Sequence, residues 1–172
     1  MIPKIQKILY ATDLTPNSAY AFRYALDFAT QNDAKIIILH VFESISTAVR
    51  AHLEFSLNGA QRKKIFNQRS AYTLDRIKRR LSRFSDKELM DASNAEKRIE
   101  SIDVCEGFAA DAILEKAAES KCDVIVMGTH GKGLVAHTFL GSVAKRVLRR
   151  SRIPIFIIPL PEGETDITVH DE

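Results

Sequence analysis

A doubly wound α/β domain, with one parallel five-stranded sheet between two helical layers, is predicted by three observations. Five short apolar runs alternate with helical patterns along the chain. Those runs lack the strict in-out alternation of a strand with one wet face. The 172 residues suffice for one substantial core and show no composition shift that would split it. Strands alternating with helices then imply right-handed crossovers packed on both faces of the sheet.

The first run, "KILYATD" (7–13), ends abruptly in polar residues, as a buried strand does at the rim of a sheet. Thr15 and Pro16 supply a helix cap and a first-turn proline, after which Phe22, Ala25, Leu26 and Ala29 recur at helical spacing. "KIIILHVFES" (35–44) is the second strand. The long middle, about 45–97, contains no proline and one glycine, Gly59, and reads as helix with Leu74, Ile77 and Leu81 as its apolar stripe. "IESIDVCEG" (99–107) is the third strand, and Ala110, Ile113, Leu114 and Ala117 stripe the helix after it. "CDVIVMG" (122–128) is the fourth strand, Val143, Ala144, Val147 and Leu148 mark a further helix, and "IPIFIIP" (153–159) is the fifth strand. Residues 1–160 thus form a single domain, and the acidic "PEGETDITVHDE" (161–172) reads as a flexible tail.

Composition excludes several classes of protein. No apolar stretch approaches the roughly 20 residues of a membrane helix, and "MIPKIQKILYATD" has no secretory signature, so a cytoplasmic protein is expected. Cys105 and Cys122 are too few for a disulfide framework and read as reduced, buried thiols. A net charge of +3 is mild, although "QRKKIFNQRSAYTLDRIKRRLSR" (61–83) concentrates Lys and Arg. Arg76, Arg79, Arg80 and Arg83 read first as the solvated face of a long helix, with an acidic partner as the alternative. Aromatic residues suited to base stacking are sparse there, which argues against nucleic acid.

In an open α/β sheet, ligands bind beyond the carboxyl ends of the strands, where strand order reverses. "GTHGKGLVAHTFLGSVAKRVL" (128–148) leaves the fourth strand at that edge, and Asp13 leaves the first. Glycine permits backbone N–H groups to approach phosphate oxygens, a task that suits Gly128 and Gly131. Gly141 and Ser142 open the following helix, whose N-terminus favours an anion. A plainer reading stands beside this one: the glycines turn the chain and Ser142 caps a helix. The P-loop is excluded because Lys132 precedes Gly133, and the dinucleotide fingerprint because no glycine follows the first strand. His130 has no positioned carboxylate partner for acid–base work, and the His and Cys spacings fit no metal site.

Gly128 and Gly131, separated by two residues and followed after nine more by Gly141 and Ser142, resemble the ATP-binding signature of the universal stress protein family. The resemblance extends to "ATD", "HV", "DVIVMGTHG" and "RIPIFIIP", and so to nearly all of residues 4–159 outside the basic middle. It implies a flavodoxin-like, adenine-nucleotide α-hydrolase-like sheet of strand order 3-2-1-4-5. Asp13 would sit at the nucleoside end, and the backbone of Val41 would hold adenine. Gly128, Gly131, Gly141, Ser142 and Val143 would hold ribose and phosphates, with Ala11, Thr12, Met127, Thr129 and His130 completing the site. Mg²⁺ is expected with ATP, ADP or AMP, since few basic side chains are placed to neutralise phosphates. The family also dimerises through its last strand, and Ile155, Phe156, Ile157 and Ile158, bounded by Pro154 and Pro159, form an apolar edge suited to a homodimer.

Receiver domains of two-component signalling share an Asp at the first strand, but Asp13 has no acidic neighbour and "DVCEG" lacks their phosphorylated Asp. The expectation is therefore an ATP-binding regulatory or stress-response module. Any hydrolysis or autophosphorylation should be slow, with Ser142 the nearest hydroxyl. The alternative is a nucleotide-independent scaffold that recruits a protein partner through the basic segment.

Overall fold

The computed structural model describes residues 4–43, 58–87, 97–129 and 140–159. Among them the elements run β1 (Lys7–Thr12), α1 (Pro16–Asn32), β2 (Lys35–Glu43), α2 (Gly59–Lys87), β3 (Ile99–Gly107), α3 (Ala109–Glu119), β4 (Val124–Gly128), α4 (Ser142–Arg150) and β5 (Ile155–Ile158). All strand pairs are parallel, in the order β3-β2-β1-β4-β5, so the doubly wound sheet expected from the sequence is present.

The apolar runs lack a polar face because each strand serves two cores. Ile8 and Tyr10, Ile36 and Ile38, and Val124 and Val126 pack on one side with Phe22, Ala25 and Leu26 of α1 and Ile77 of α2. Their neighbours Leu9 and Ala11, Ile37 and Leu39, and Ile125 and Met127 pack on the other with Ala110, Ile113 and Ala117 of α3 and Ala144 and Val147 of α4. Successive side chains point to opposite faces, so a strand buried on both sides must be apolar at every position.

Helix starts and stops follow local chemistry. Thr15 is the N-cap of α1, its hydroxyl accepting from the Ser18 N–H at 3.4 Å, and Pro16 stands where no donor is needed. The helix ends at Asp33, whose left-handed backbone (φ 55°) lets the Ala34 N–H return to the Ala29 carbonyl at 2.9 Å. α2 opens with a reciprocal box: the Asn58 N–H donates to Gln61 Oε1 and the Gln61 N–H to Asn58 Oδ1, each at 2.9 Å. Of its expected stripe, Ile77 is buried and Leu74 half-buried, while the side chain of Leu81 lies outside the described residues. In α4 the stripe is narrower than the sequence suggests. Ala144 and Val147 are buried, Val143 is half-buried, and Leu148 is 50% exposed, because a nine-residue helix meets the sheet along one narrow line.

Arg79 pairs with Asp75 at 2.5 Å on the open side of α2, and both side chains are more than half exposed. Arg76 is half-buried, and the side chains of Arg80 and Arg83 lie outside the described residues. Among the described residues no helix is long and apolar enough to cross a membrane.

Cys122 is buried, as expected, whereas Cys105 is only half-buried. Burial pushes the Cys122 thiol from 9.0 up to about 11, and burial with the neighbouring Asp103 carboxylate raises Cys105. A thiol reagent at pH 8 should therefore label Cys105 first and reach Cys122 only as the protein unfolds. Stability should fall between pH 9 and 11, where the unfolded chain releases the Cys122 proton and the folded chain retains it. Urea titrations across that window check this, since Cys122→Ala should flatten the slope.

Candidate functional site

The strand order reverses between β1 and β4, and a cleft of about 530 Å³ opens beyond their carboxyl ends. Ala11, Thr12 and Asp13 after β1, Val41 on β2, Met127, Gly128 and Thr129 at the end of β4, and Gly141, Ser142 and Val143 at the start of α4 all line it. Ten of the residues singled out from sequence thus converge on one space. His130 and Gly131 lie outside the described residues.

The β1 edge of the cleft is a strained turn held by local hydrogen bonds. Leu14 is left-handed (φ 66°), a conformation unfavourable for a residue with a Cβ. Asp13 Oδ1 offsets that cost by accepting from the Thr15 N–H at 3.0 Å and the Thr15 hydroxyl at 2.5 Å. The Leu14 N–H donates to Thr12 Oγ1 at 3.1 Å, and Thr12 Oγ1 also meets Ser18 Oγ at 3.0 Å. Beside this turn, the buried His40 Nδ1 stands 2.7 Å from the Thr12 carbonyl and must carry the proton, since a carbonyl only accepts. His40 thereby ties the end of β2 to the end of β1.

The opposite edge is a pinned loop mouth. The Thr129 N–H donates to the Ile158 carbonyl at 3.1 Å, and the Gly141 N–H donates to the Thr129 carbonyl at 2.8 Å. The segment that leaves β4 therefore returns to its starting point. Gly141 is the N-cap of α4 and Ser142 the first helical residue. The plainer reading, in which Ser142 caps the helix, is not what the backbone adopts. A glycine cap offers no side-chain oxygen, so the first N–H groups of α4 face the cleft without a capping side chain.

Gly128 has a reason that spacing alone does not reveal. A Cβ at this position would lie 2.0 Å from Oδ1 and 2.9 Å from Cγ of Asn17, whose residue is only 7% exposed. α1 thus crosses β4 at van der Waals distance, and the glycine is a packing requirement as well as part of the cleft.

Several lining residues were not assigned to the site from sequence: Ser18, His40, Phe42, Arg69 and Ala109, together with Ile113 and Ala144, which were read only as helix stripes. Ser18 lies three residues beyond a recognised cap and was within reach of local reasoning. Arg69 carried no signal, being one cation in a basic run. A shallow depression of about 490 Å³ on α2 is lined by Ala60, Lys63, Lys64 and neighbours of that helix alone, so nothing encloses a ligand there. Among the described residues no three His, Cys, Asp or Glu side chains gather to hold a metal.

A five-stranded parallel sheet with a cleft and a glycine-capped helix at its switch point defines a doubly wound α/β domain. The universal stress protein family model matches residues 4–159, and the chain belongs to that family. Universal stress protein MJ0577 of Methanocaldococcus jannaschii is 27% identical over 157 residues, covering 89% of this chain and 94% of the relative. The solved structure of hypothetical protein MJ0577 matches with a TM-score of 0.70 at 23% identity, covering 94% of this chain and all of that one. Two further solved structures share the fold. A universal stress protein in complex with cAMP has a TM-score of 0.55 at 24% identity, covering 91% of this chain and 98% of that one. An Arabidopsis thaliana family member with AMP bound has a TM-score of 0.54 at 18% identity, covering 94% and 97%.

Replacing Gly128 by Ala should drive a methyl group into Asn17 and destabilise the domain by about 1–3 kcal/mol. Chemical denaturation measures the loss, and an unchanged midpoint would mean that Asn17 yields without cost.

Proposed function

We propose that the cleft binds an adenine nucleotide, ATP with Mg²⁺ in the first instance, and that the protein is a cytoplasmic, nucleotide-dependent stress-response module. The observation that carries this reading is the pairing of Asp13 with the uncapped N-terminus of α4 across one cleft. Its volume of about 530 Å³ lies within the range of small-ligand sites. A phosphate chain is attracted by the positive end of α4 and by N–H groups that no side chain among the described residues caps. Asp13 Oδ2 takes part in neither local bond of Oδ1, so it is placed to accept from ribose hydroxyls. The cAMP and AMP complexes of related proteins support an adenine nucleotide as the ligand class.

Among the described residues the lining includes one arginine, too little positive charge for a triphosphate. Mg²⁺ would supply the remainder, held chiefly by phosphate oxygens and water. Ser142 is exposed at the start of α4, and among the described residues no carboxylate or imidazole bonds its hydroxyl. Turnover by hydrolysis or autophosphorylation is accordingly slow in this reading, and binding is the primary activity.

Gly141→Asp provides a test that separates site from fold. The new carboxylate would cap α4 and raise stability by a few tenths of a kcal/mol. It would also repel phosphate, so calorimetric titration should show ATP affinity falling about tenfold or more while adenosine affinity is kept. Failure of the wild-type protein to bind ATP, ADP or AMP in the presence of Mg²⁺ would leave the nucleotide-independent scaffold as the reading.

The homodimer belongs to the same proposal. β5 is the edge of the sheet, with one backbone side unpaired among the described strands. Phe156 is 38% exposed while its ring packs 4.5 Å from Phe28, and Ile155 and Ile157 are half-buried. A second copy adding its own β5 would cover this apolar edge. Sedimentation should report a dimer for the native chain and a monomer for Phe156→Glu, and a dimer that survives the change excludes this edge.

A further inference from the structure

Arg69 is the one lysine or arginine among the described residues that line the cleft, and its placement follows from the path of α2. As the crossover between two parallel strands, α2 runs back from the carboxyl edge of the sheet to the amino edge. Thr73 and Ile77, one and two turns beyond Arg69, are buried and anchor the helix to the core. Arg69 therefore stands at the level of the cleft mouth. Its guanidinium carbon lies 4.6 Å from the centroid of the Phe42 ring. That ring is itself held edge-on by His40 at 5.1 Å and Phe66 at 6.4 Å.

We propose that Arg69, stacked on Phe42, is the platform on which the base of the bound nucleotide lies, so that α2 contributes a purine-selecting contact to the cleft. This rests on the nucleotide reading above. Phe42 follows Val41 at the end of β2, and β2 is two strands from β4, with β1 between them. That separation is about 10 Å, which puts Arg69 at the far end of the cleft from the N-terminus of α4. A ligand with its phosphates at α4 brings its base, not its charge, to Arg69. A guanidinium is planar and weakly hydrated, and it stacks on flat ring systems in a way that an ammonium does not. A larger ring system gains more from such a surface, so purines are favoured over pyrimidines.

Titration calorimetry with ATP, adenosine and CTP tests the platform in the native chain, Arg69→Ala, Arg69→Lys and Phe42→Leu. Arg69→Ala should weaken ATP and adenosine alike by roughly three- to thirty-fold and should narrow the preference for ATP over CTP. Arg69→Lys should recover little of the loss, and Phe42→Leu should reproduce it. Arg69 is exposed, so its variants should remain folded, with melting curves that show only the small loss of the Phe42 contact. Loss of ATP affinity with adenosine unaffected, full recovery by Arg69→Lys, or no loss at all would each overturn the platform while leaving nucleotide binding intact. A native chain that binds neither ATP nor adenosine overturns both proposals together.

Discussion

Burial of both faces of a parallel sheet is the constraint from which the rest of this molecule follows. With Ile8, Ile36, Ile125 and Val126 almost wholly removed from water, no position within β1, β2 or β4 can carry a polar group without a partner. Polar chemistry is displaced to the strand ends, and parallel pairing collects all the carboxyl ends at one edge. The buried polar residues of the sheet follow that rule: Thr12 ends β1, His40 stands beside it on β2 and bonds its carbonyl, and Thr129 directly follows β4, where it bonds Ile158 and Gly141. The cleft is thus the place where the core stops and where unpaired backbone groups can be spent on a ligand.

The seam between β1 and β4 carries the cost of that arrangement. Here α1 must start immediately after β1 and cross the end of β4 without colliding. The left-handed Leu14 turns the chain, the Asp13 and Thr12 side chains satisfy the turn, and the missing Cβ of Gly128 leaves room for Asn17. Each residue therefore answers to the fold as well as to any ligand. Asp13 in particular holds its turn through Oδ1, and a carboxylate fixed in this way has a set orientation whatever it meets in the cleft.

The elements that read clearly in the sequence are those dictated by local pattern and burial. The uninterrupted apolar runs gave β1 to β5 within a residue or two at most ends, and the Thr15–Pro16 pair marked the start of α1. The glycine spacing drew Gly128, Gly141 and Ser142 to one place. What did not read clearly depends on contacts distant in sequence. Nothing near Gly128 announces Asn17, 111 positions earlier in the chain, and nothing near Arg69 announces Phe42. Leu148 misled for the opposite reason, because helical periodicity reports a face and not how much of that face the sheet can cover.

α2 shows how a helix seated on the core over only part of its length can still reach the cleft. Its 29 residues span about 44 Å, more than the nine residues of β3 at about 30 Å, so one end must stand beyond the sheet. Residues 59–65 are exposed throughout, and a surface pair such as Arg79 with Asp75 contributes little to holding a helix in place. The reciprocal Asn58–Gln61 box closes the first turn, and Phe66 and Arg69 set this half of the helix against Phe42. Phe42 and Arg69 also line the cleft. A base platform at Arg69 would therefore rest on the same ring contact that ties α2 to β2, so removing the Phe42 ring disturbs helix and cleft together.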